Sequence, residues 1–432
     1  MNALPDISWR ERFILLTALA FVAMSILAGP MRMYLSMAGL SPLIYVPNLM
    51  LLMAIAWQIA DQAYRGITPL QLIGVLIPVY LIIVGFQFGG VIQTAMGVYV
   101  LLPFWFGLAC CPVLFKNWDR VARFIPVLYI VATSGVLINY VVTYPWEGFG
   151  YNVGNLDVEG SRQWYASGGV KRLAGLSRAS FDAAVHIILF GILFALTIRN
   201  PLLRMTVWVL TFVAAVPTNS KGMLLVVVVL TPVILLREKL PRSFMTFQLA
   251  FFAALAMLLP LSTLLFEFHS QFSNPTLANA TYSFYDRLND MWPRAWLLLH
   301  EEGHWLMGRG IGGIGTSQTY FEPSLFNAGD NLFMYWFVVL GWSGLLGFLL
   351  ILLRSLRLKP NESPAQMRIY CLFMALMVYG SMTNIVENSV FALVCGLLVR
   401  WLCSSPTTVV ASRSDQWIPP SIASGRLAHH AG

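Results

Sequence analysis

Long apolar runs separated by short polar breaks recur along almost the whole chain. They lie near residues 13–30, 38–60, 70–87, 91–114, 122–142, 179–198, 203–217, 222–236, 245–266, 330–353, 367–385 and 389–403. A helix needs roughly 20 apolar residues to cross a bilayer. The pattern predicts an all-α, polytopic membrane protein with about 12 transmembrane helices in a single domain, residues 1–403. Residues 203–236 read equally as two spans or one broken helix. Pro47, Pro78, Pro103, Pro126 and Pro232 fall inside the runs and predict kinks that neighbouring helices accommodate. Arg10 and Arg12 precede the first run as in a signal sequence. No small-x-small cleavage site follows, so that run reads as an uncleaved first span.

Composition agrees. Of 432 residues, 58% are hydrophobic and 11% charged, where soluble domains carry roughly 25% charged residues. Mean hydropathy is +0.71. Fourteen Trp and sixteen Tyr suit two membrane interfaces. The net charge of +8 does not indicate nucleic acid, because the cations punctuate apolar runs instead of forming a basic domain. The five cysteines form no CxxC pair and read as small apolar side chains.

Charge bias orients the chain. With a cytoplasmic N-terminus, eighteen of the 27 Lys and Arg residues fall inside. Nine fall outside: Arg32, Arg162, Lys171, Arg172, Arg178, Lys221, Arg287, Arg294 and Arg309. This satisfies the positive-inside rule for the short loops. It predicts two long extracytoplasmic loops, 143–178 and 267–329, and a cytoplasmic polar tail, 404–432, with the composition of a disordered segment.

Candidate chemistry clusters in or beside those loops. Arg172, Arg178, Lys221, Arg287, Arg294 and Arg309 suit an oxyanion such as a diphosphate, since guanidinium groups bind such ligands bidentately. The same arginines also suit lipid headgroups or loop carboxylates. Asp330 and Asn331 open the run 332–353; a carboxylate there serves as a general base or as a helix N-cap. His300-Glu301-Glu302-Gly303-His304 matches the HExxH zinc pattern, which needs both histidines on one helical face. Gly303 weakens that helix, and no third ligand beyond Glu322 suggests itself. Asp157 and Glu159 form an acidic pair that reads as a solvated loop. Glu387 and Asn388 read as a polar turn between helices.

Four stretches in this order resemble the O-antigen ligase and Wzy-type polysaccharide polymerase superfamily. They are Arg172-Leu173-Ala174-Gly175 with Phe181-Asp182-Ala183; Ser220-Lys221-Gly222; Arg287 with Trp292, Trp296 and Gly308-Arg309-Gly310-Ile311-Gly312; and Asp330-Asn331 with Gly341 and Gly344. Ligases of the superfamily carry His where this chain has Asp330, and the chain is most similar to polymerases of the xanthan-type exopolysaccharide kind. The resemblance implies a GT-C-like, metal-independent glycosyltransferase of the bacterial inner membrane that needs no cofactor. Its donor would be a growing glycan on undecaprenyl diphosphate and its acceptor a hydroxyl of the next lipid-linked repeat. Asp330 would be the base; the six cations and Asn331 would bind substrate. Flippase and chain-length or export proteins of the same pathway would be partners. Ligation to another acceptor, a twelve-helix transporter of polysaccharide or lipid-linked sugar, and a membrane zinc protease are the alternatives.

Overall fold

Ser8 starts the first helix with a capping box: its Oγ accepts the Glu11 amide, and the Glu11 carboxylate accepts the Ser8 amide. This is a computed structural model that describes residues 7–66, 69–153, 156–166, 169–237, 239–268 and 275–404. The expected polar tail therefore lies outside the described residues, apart from Ser404. The chain is mostly helical. Its first half contains α1 (Trp9–Ile26), α2 (Ala28–Met37), α3 (Val46–Arg65), α4 (Pro69–Phe88), α5 (Gly90–Val100), α6 (Leu102–Lys116), α7 (Trp118–Ala122) and α8 (Ile125–Val141). After two small hairpins come α9 (Ser180–Thr197), α10 (Pro201–Ala215), α11 (Lys221–Leu236), α12 (Arg242–Ser262), α13 (Pro275–Asp286), α14 (Trp292–Glu301) and α15 (Thr316–Phe321). The last four are α16 (Leu332–Leu340), α17 (Trp342–Ser355), α18 (Pro364–Gly380) and α19 (Ser389–Cys403).

Among the described residues, five helical stretches are long and apolar enough to cross a membrane: Ser41–Tyr64, Trp118–Val141, Ser180–Thr197, Pro201–Thr218 and Arg242–Ser262. Seven qualify if two bent pairs count as single spans. That makes the chain a membrane protein by its helices, and the expected count of twelve is not reached by length and composition. Part of the difference comes from backbone breaks that hydropathy does not register, and the rest from helix length: α11 has 16 residues, α18 has 17 and α19 has 15. The chain turns 86° between α1 and α2, and 47° between α5 and α6. The apolar run 330–353 is cut at Gly341, which takes φ 62°. A Cβ there would lie 2.5 Å from the carbonyl oxygens of Trp305 and Leu306, which pass against it. Residues 203–236 form two antiparallel helices. Trp208 Nε1 donates to Thr231 Oγ1 at 2.9 Å and Arg204 donates to the Leu235 carbonyl at 3.3 Å, with Lys221 at the tip of the hairpin.

The prolines also divide. Pro47, Pro103 and Pro126 sit in the first turns of α3, α6 and α8. A missing amide costs little there, and the 47° bend of the run 91–114 falls just before Pro103, where a kink is expected. Pro78 and Pro232 lie inside α4 and α11 as expected.

Helices α9 and α18 are buried nearly all round and form the centre. Outer helices keep apolar side chains exposed, such as Leu49 and Leu52 on α3 and Phe247 on α12. Helices α6 and α19 cross closely because each places a glycine at the contact. A Cβ on Gly107 would lie 2.2 Å from the Leu393 carbonyl oxygen, and one on Gly396 would lie 2.0 Å from that of Phe104.

Residues 143–178 carry two antiparallel hairpins. Strand β1 (Gly150–Val153) pairs with β2 (Leu156–Glu159), and β3 (Trp164–Tyr165) with β4 (Lys171–Arg172). The segment is closed on itself by Trp146 Nε1, which donates to the Gly175 carbonyl at 3.0 Å, and is tied to the bundle where the Leu173 amide donates to the Pro217 carbonyl at 3.0 Å and the Gly29 amide of α2 to the Leu176 carbonyl at 2.9 Å. Between α14 and α15 a glycine-rich segment threads into the bundle. The amides of Arg309, Gly310 and Ile311 bond to the carbonyls of Val338, Val339 and Leu81. Gly310, at φ 72°, leaves only 2.1 Å between a would-be Cβ and the Gly85 amide nitrogen.

Candidate functional site

Helices α9, α11 and α19 begin at one end of the bundle, and their first residues line a cleft of about 1450 Å³. Helix N-termini carry partial positive charge and unpaired amides, so such a cleft already favours an anion. The hairpins of 143–178 wall one side. The other side is formed by α13, the residues around α15 and the turn 381–388.

Six cationic side chains line the cleft among the described residues: Arg32, Arg162, Arg172, Arg178, Lys221 and Arg287. All six belong to the nine that charge bias assigns to the outer side, and none to the eighteen of the inner set. The acids there are Glu159, Asp182, Asp330 and Glu387. Arg178 is held by the Glu159 carbonyl, 3.1 Å from its Nε. Burial, then the like charges of Arg32 and Arg162, push its pKa down to about 10, against the opposing pull of Asp182. Arg172 packs over the Trp164 ring at 5.8 Å, and burial lowers its pKa too. Arg32 reaches the cleft because of the sharp bend before α2, and donates to the Tyr151 hydroxyl at 3.3 Å.

Arg287 opens a single π-turn, Arg287–Met291, between α13 and α14. Such turns are frequent at functional sites. It aims Nη2 at Asp330 Oδ2, 2.7 Å away, and both side chains remain 16% exposed. Its Nε is buried without an acceptor. The other Asp330 oxygen accepts the Asn384 amide at 3.2 Å. Asp330 is therefore not the cap of α16. Asn331 is: its Oδ1 accepts the Met334 amide at 2.9 Å, and its Nδ2 donates to the carbonyls of Ala256 and Ser381. Asn331 is fully buried and its polar atoms are used by the protein.

Two of the candidate cations lie elsewhere. Arg309 is 1% exposed and clamps the glycine-rich segment. It donates to the Glu302 and Gly313 carbonyls at 2.7 Å and to both oxygens of Glu322. Burial pushes the Glu322 carboxyl up, but the Gln93 hydrogen bond and the Arg309 charge outweigh it and hold the pKa low. Arg294 is exposed and pairs with Asp290 one turn earlier.

The HExxH spacing does not find its helix. Helix α14 stops at Glu301, and His304 lies beyond it, its Nδ1 accepting the Leu306 amide. Among the described residues no three His, Cys, Asp or Glu side chains are placed to hold a metal. Glu159 pairs with Arg162 at 2.7 Å, while the Asp157 side chain lies outside the described residues.

Glu387 and Asn388, read from sequence as a polar turn, belong to a longer turn, 381–388, that begins where α18 ends and carries more chemistry than that reading gave it. Asn388 caps α19 and donates to Asp182 at 2.7 Å. Glu387 lines the cleft. Its Oε2 accepts the Thr316 amide and hydroxyl at 2.9 and 2.7 Å, and its Oε1 accepts the Tyr335 hydroxyl at 3.3 Å. Burial raises its pKa to about 7, against these hydrogen bonds and with help from the charge of Asp330. The only sequence signal for Glu387 was an acid between two apolar runs. Arg32 and Arg162 had a better one, their membership of the outer set. Comparison with protein-family models, with curated proteins and with solved structures finds no match.

Proposed function

We propose that the chain polymerises lipid-linked oligosaccharide repeats, transferring the growing glycan from undecaprenyl diphosphate to a hydroxyl of the next lipid-linked unit. The observation that carries this reading is the convergence of six outer cations and three helix N-termini on one cleft that also holds carboxylates. A diphosphate leaving group develops charge as the glycosidic bond breaks, and preorganised donors stabilise it most where water is scarce. Arg172, Arg178, Arg287 and Lys221 supply those donors, in the role a metal ion has elsewhere. The attacking hydroxyl must lose a proton, and the cleft offers Asp330 and Glu387 as acceptors. The polyprenyl tails lie between helices, in the lipid.

The same reading places the chain in a bacterial inner membrane with about 12 spans in a GT-C-like arrangement. Both termini are then cytoplasmic, and the two long loops with the cleft face the periplasm. Its product belongs to a xanthan-like exopolysaccharide pathway, with the flippase and the chain-length and export proteins as neighbours. The test is genetic. Deleting the gene should abolish surface polymer while lipid-linked single repeats accumulate. Undiminished polymer overturns the proposal.

A further inference from the structure

Two carboxylates stand near each other in the cleft, and their surroundings differ. Asp330 has both oxygens engaged, one by the Arg287 guanidinium and one by the Asn384 amide. Taking a proton there would break an ion pair that also positions an arginine for the donor. Glu387 meets only neutral donors: the Thr316 amide and hydroxyl on Oε2 and, at a longer 3.3 Å, the Tyr335 hydroxyl on Oε1. No ion pair to Glu387 is found among the described residues. Its carboxylate packs so tightly against Gly315 that a Cβ there would lie 2.3 Å from Oε1. Its own amide donates to Asn384 Oδ1, and Asn384 in turn bonds Asp330, so one turn fixes the two acids relative to each other.

We infer that Glu387 is the catalytic base of the transfer and that Asp330 is the positioning residue for Arg287. This rests on the polymerase reading. In the step, the acceptor hydroxyl oxygen bonds to the anomeric carbon as the bond from that carbon to the diphosphate oxygen breaks. The bonding pair leaves with undecaprenyl diphosphate, stabilised by the arginines, and the hydroxyl proton passes to Glu387, which later releases it to water. Efficient general bases have pKa values near the working pH. The groups facing Glu387 account for such a value. Burial and the like charge of Asp330 raise it to about 7, and Thr316 and Tyr335 donate to it. Arg287 reaches this pair only through Asp330.

The test uses the full-length protein in detergent, with lipid-linked repeats extracted from the deletion strain and undecaprenyl diphosphate as a binding probe. Wild-type elongation should rise about tenfold per pH unit below neutrality and level off above pH 7. Glu387→Gln should bind the probe as wild type does and elongate about 100- to 10,000-fold more slowly. Glu387→Asp should recover part of the rate with a displaced pH profile. Near-normal elongation by Glu387→Gln, or a wild-type rate independent of pH from 5.5 to 8.5, overturns the assignment. Wild-type protein that neither binds the probe nor elongates the repeats overturns the polymerase reading instead. If Glu387→Gln does not fold, the wild-type pH profile decides alone.

Discussion

Arg287 and Asp330, 43 positions apart, meet at 2.7 Å on the wall of the cleft, each offering 16% of its side chain to it. The pairing helps orient the guanidinium, whose Nη1 also donates to the Ser283 carbonyl and hydroxyl and whose Nε is buried, so an incoming oxyanion meets only its exposed edge. Arg287→Ala should therefore leave the protein folded and weaken binding of undecaprenyl diphosphate about 10- to 100-fold, the worth of one or two charge-assisted hydrogen bonds. Arg287→Lys should rescue little, because a point charge cannot bridge Asp330 and a phosphate as a planar fork does. The readout is probe binding alongside the melting curve. Unchanged binding in both variants would remove Arg287 from the diphosphate site.

Arg309 should behave in the opposite way. It is itself buried, pairs with the half-buried Glu322, and also satisfies the carbonyls of Glu302 and Gly313. Arg309→Ala strands those two carbonyls and leaves Glu322 to the side-chain amides of Gln93 and Gln318, a loss of about 1–3 kcal/mol for each stranded acceptor. The expected result is poor yield and a lowered melting temperature, measured by fluorescence-detected size exclusion. A stable, inactive Arg309→Ala would return the residue to the list of substrate ligands.

Asn331 gives the same kind of contrast with its neighbour. It caps α16 and ties that helix to the carbonyls of Ala256 and Ser381 with no exposed surface. Asn331→Ala should cost about 0.5–2 kcal/mol for the cap alone and more for the two stranded carbonyls. Asp330→Ala should cost less, since its partners face the cleft. Thermal melts of the two variants, side by side, check the order.

The parts of this arrangement that were legible in the sequence are those written in local patterns. Charge against hydropathy sorted Arg32, Arg162, Arg172, Arg178, Lys221 and Arg287 onto one side, and the fold gathers these six. The same pattern could not separate Arg309 from them, because its difference is made by carbonyls of its own loop and by Glu322. Hydropathy saw the apolar runs but not the bends at Leu27 and Leu101, the break at Gly341 or the shortness of α11, α18 and α19, so among the described residues five to seven of the expected spans meet the length and composition for crossing. The cap fell one residue later than Asp330 because Asn331 is the residue with extended backbone, φ −169°, before the helix. Glu387 was hidden for a different reason: its partners Thr316 and Tyr335 are 71 and 52 positions away.

Glu387 also makes stability depend on pH. Burial holds its carboxyl at about 7, above its ordinary 4.5, so the folded chain binds that proton more tightly than the unfolded chain. The stabilisation from protonated Glu387 is complete below pH 4.5 and is lost as pH rises through 7. Glutamine does not titrate. The melting temperature of Glu387→Gln relative to wild type should therefore climb between pH 5 and pH 8. A difference that is constant over this range would show that Glu387 titrates alike in both states.

The most discriminating variant is Asp330→Asn, because the two acids predict different pH profiles for it. Asn keeps an oxygen for the Asn384 amide but loses the charge and the second oxygen that accepts from Arg287. If Glu387 takes the proton, removing the neighbouring negative charge makes its carboxylate easier to form, since like charges raise a carboxyl pKa. Arg287, freed from its pair, acts in the same direction. The acid limb of the elongation profile should then shift to lower pH, and a measurable rate should remain above it, reduced by the looser hold on the diphosphate. If Asp330 were itself the base, the rate would fall about 100- to 10,000-fold at every pH, far more than the loss in probe binding accounts for. The measurement is the initial rate of elongation from pH 5 to 8.5 with purified wild type, Asp330→Asn and the double variant with Glu387→Gln. A limb that stays in place in Asp330→Asn while the rate collapses would move the base from Glu387 to Asp330.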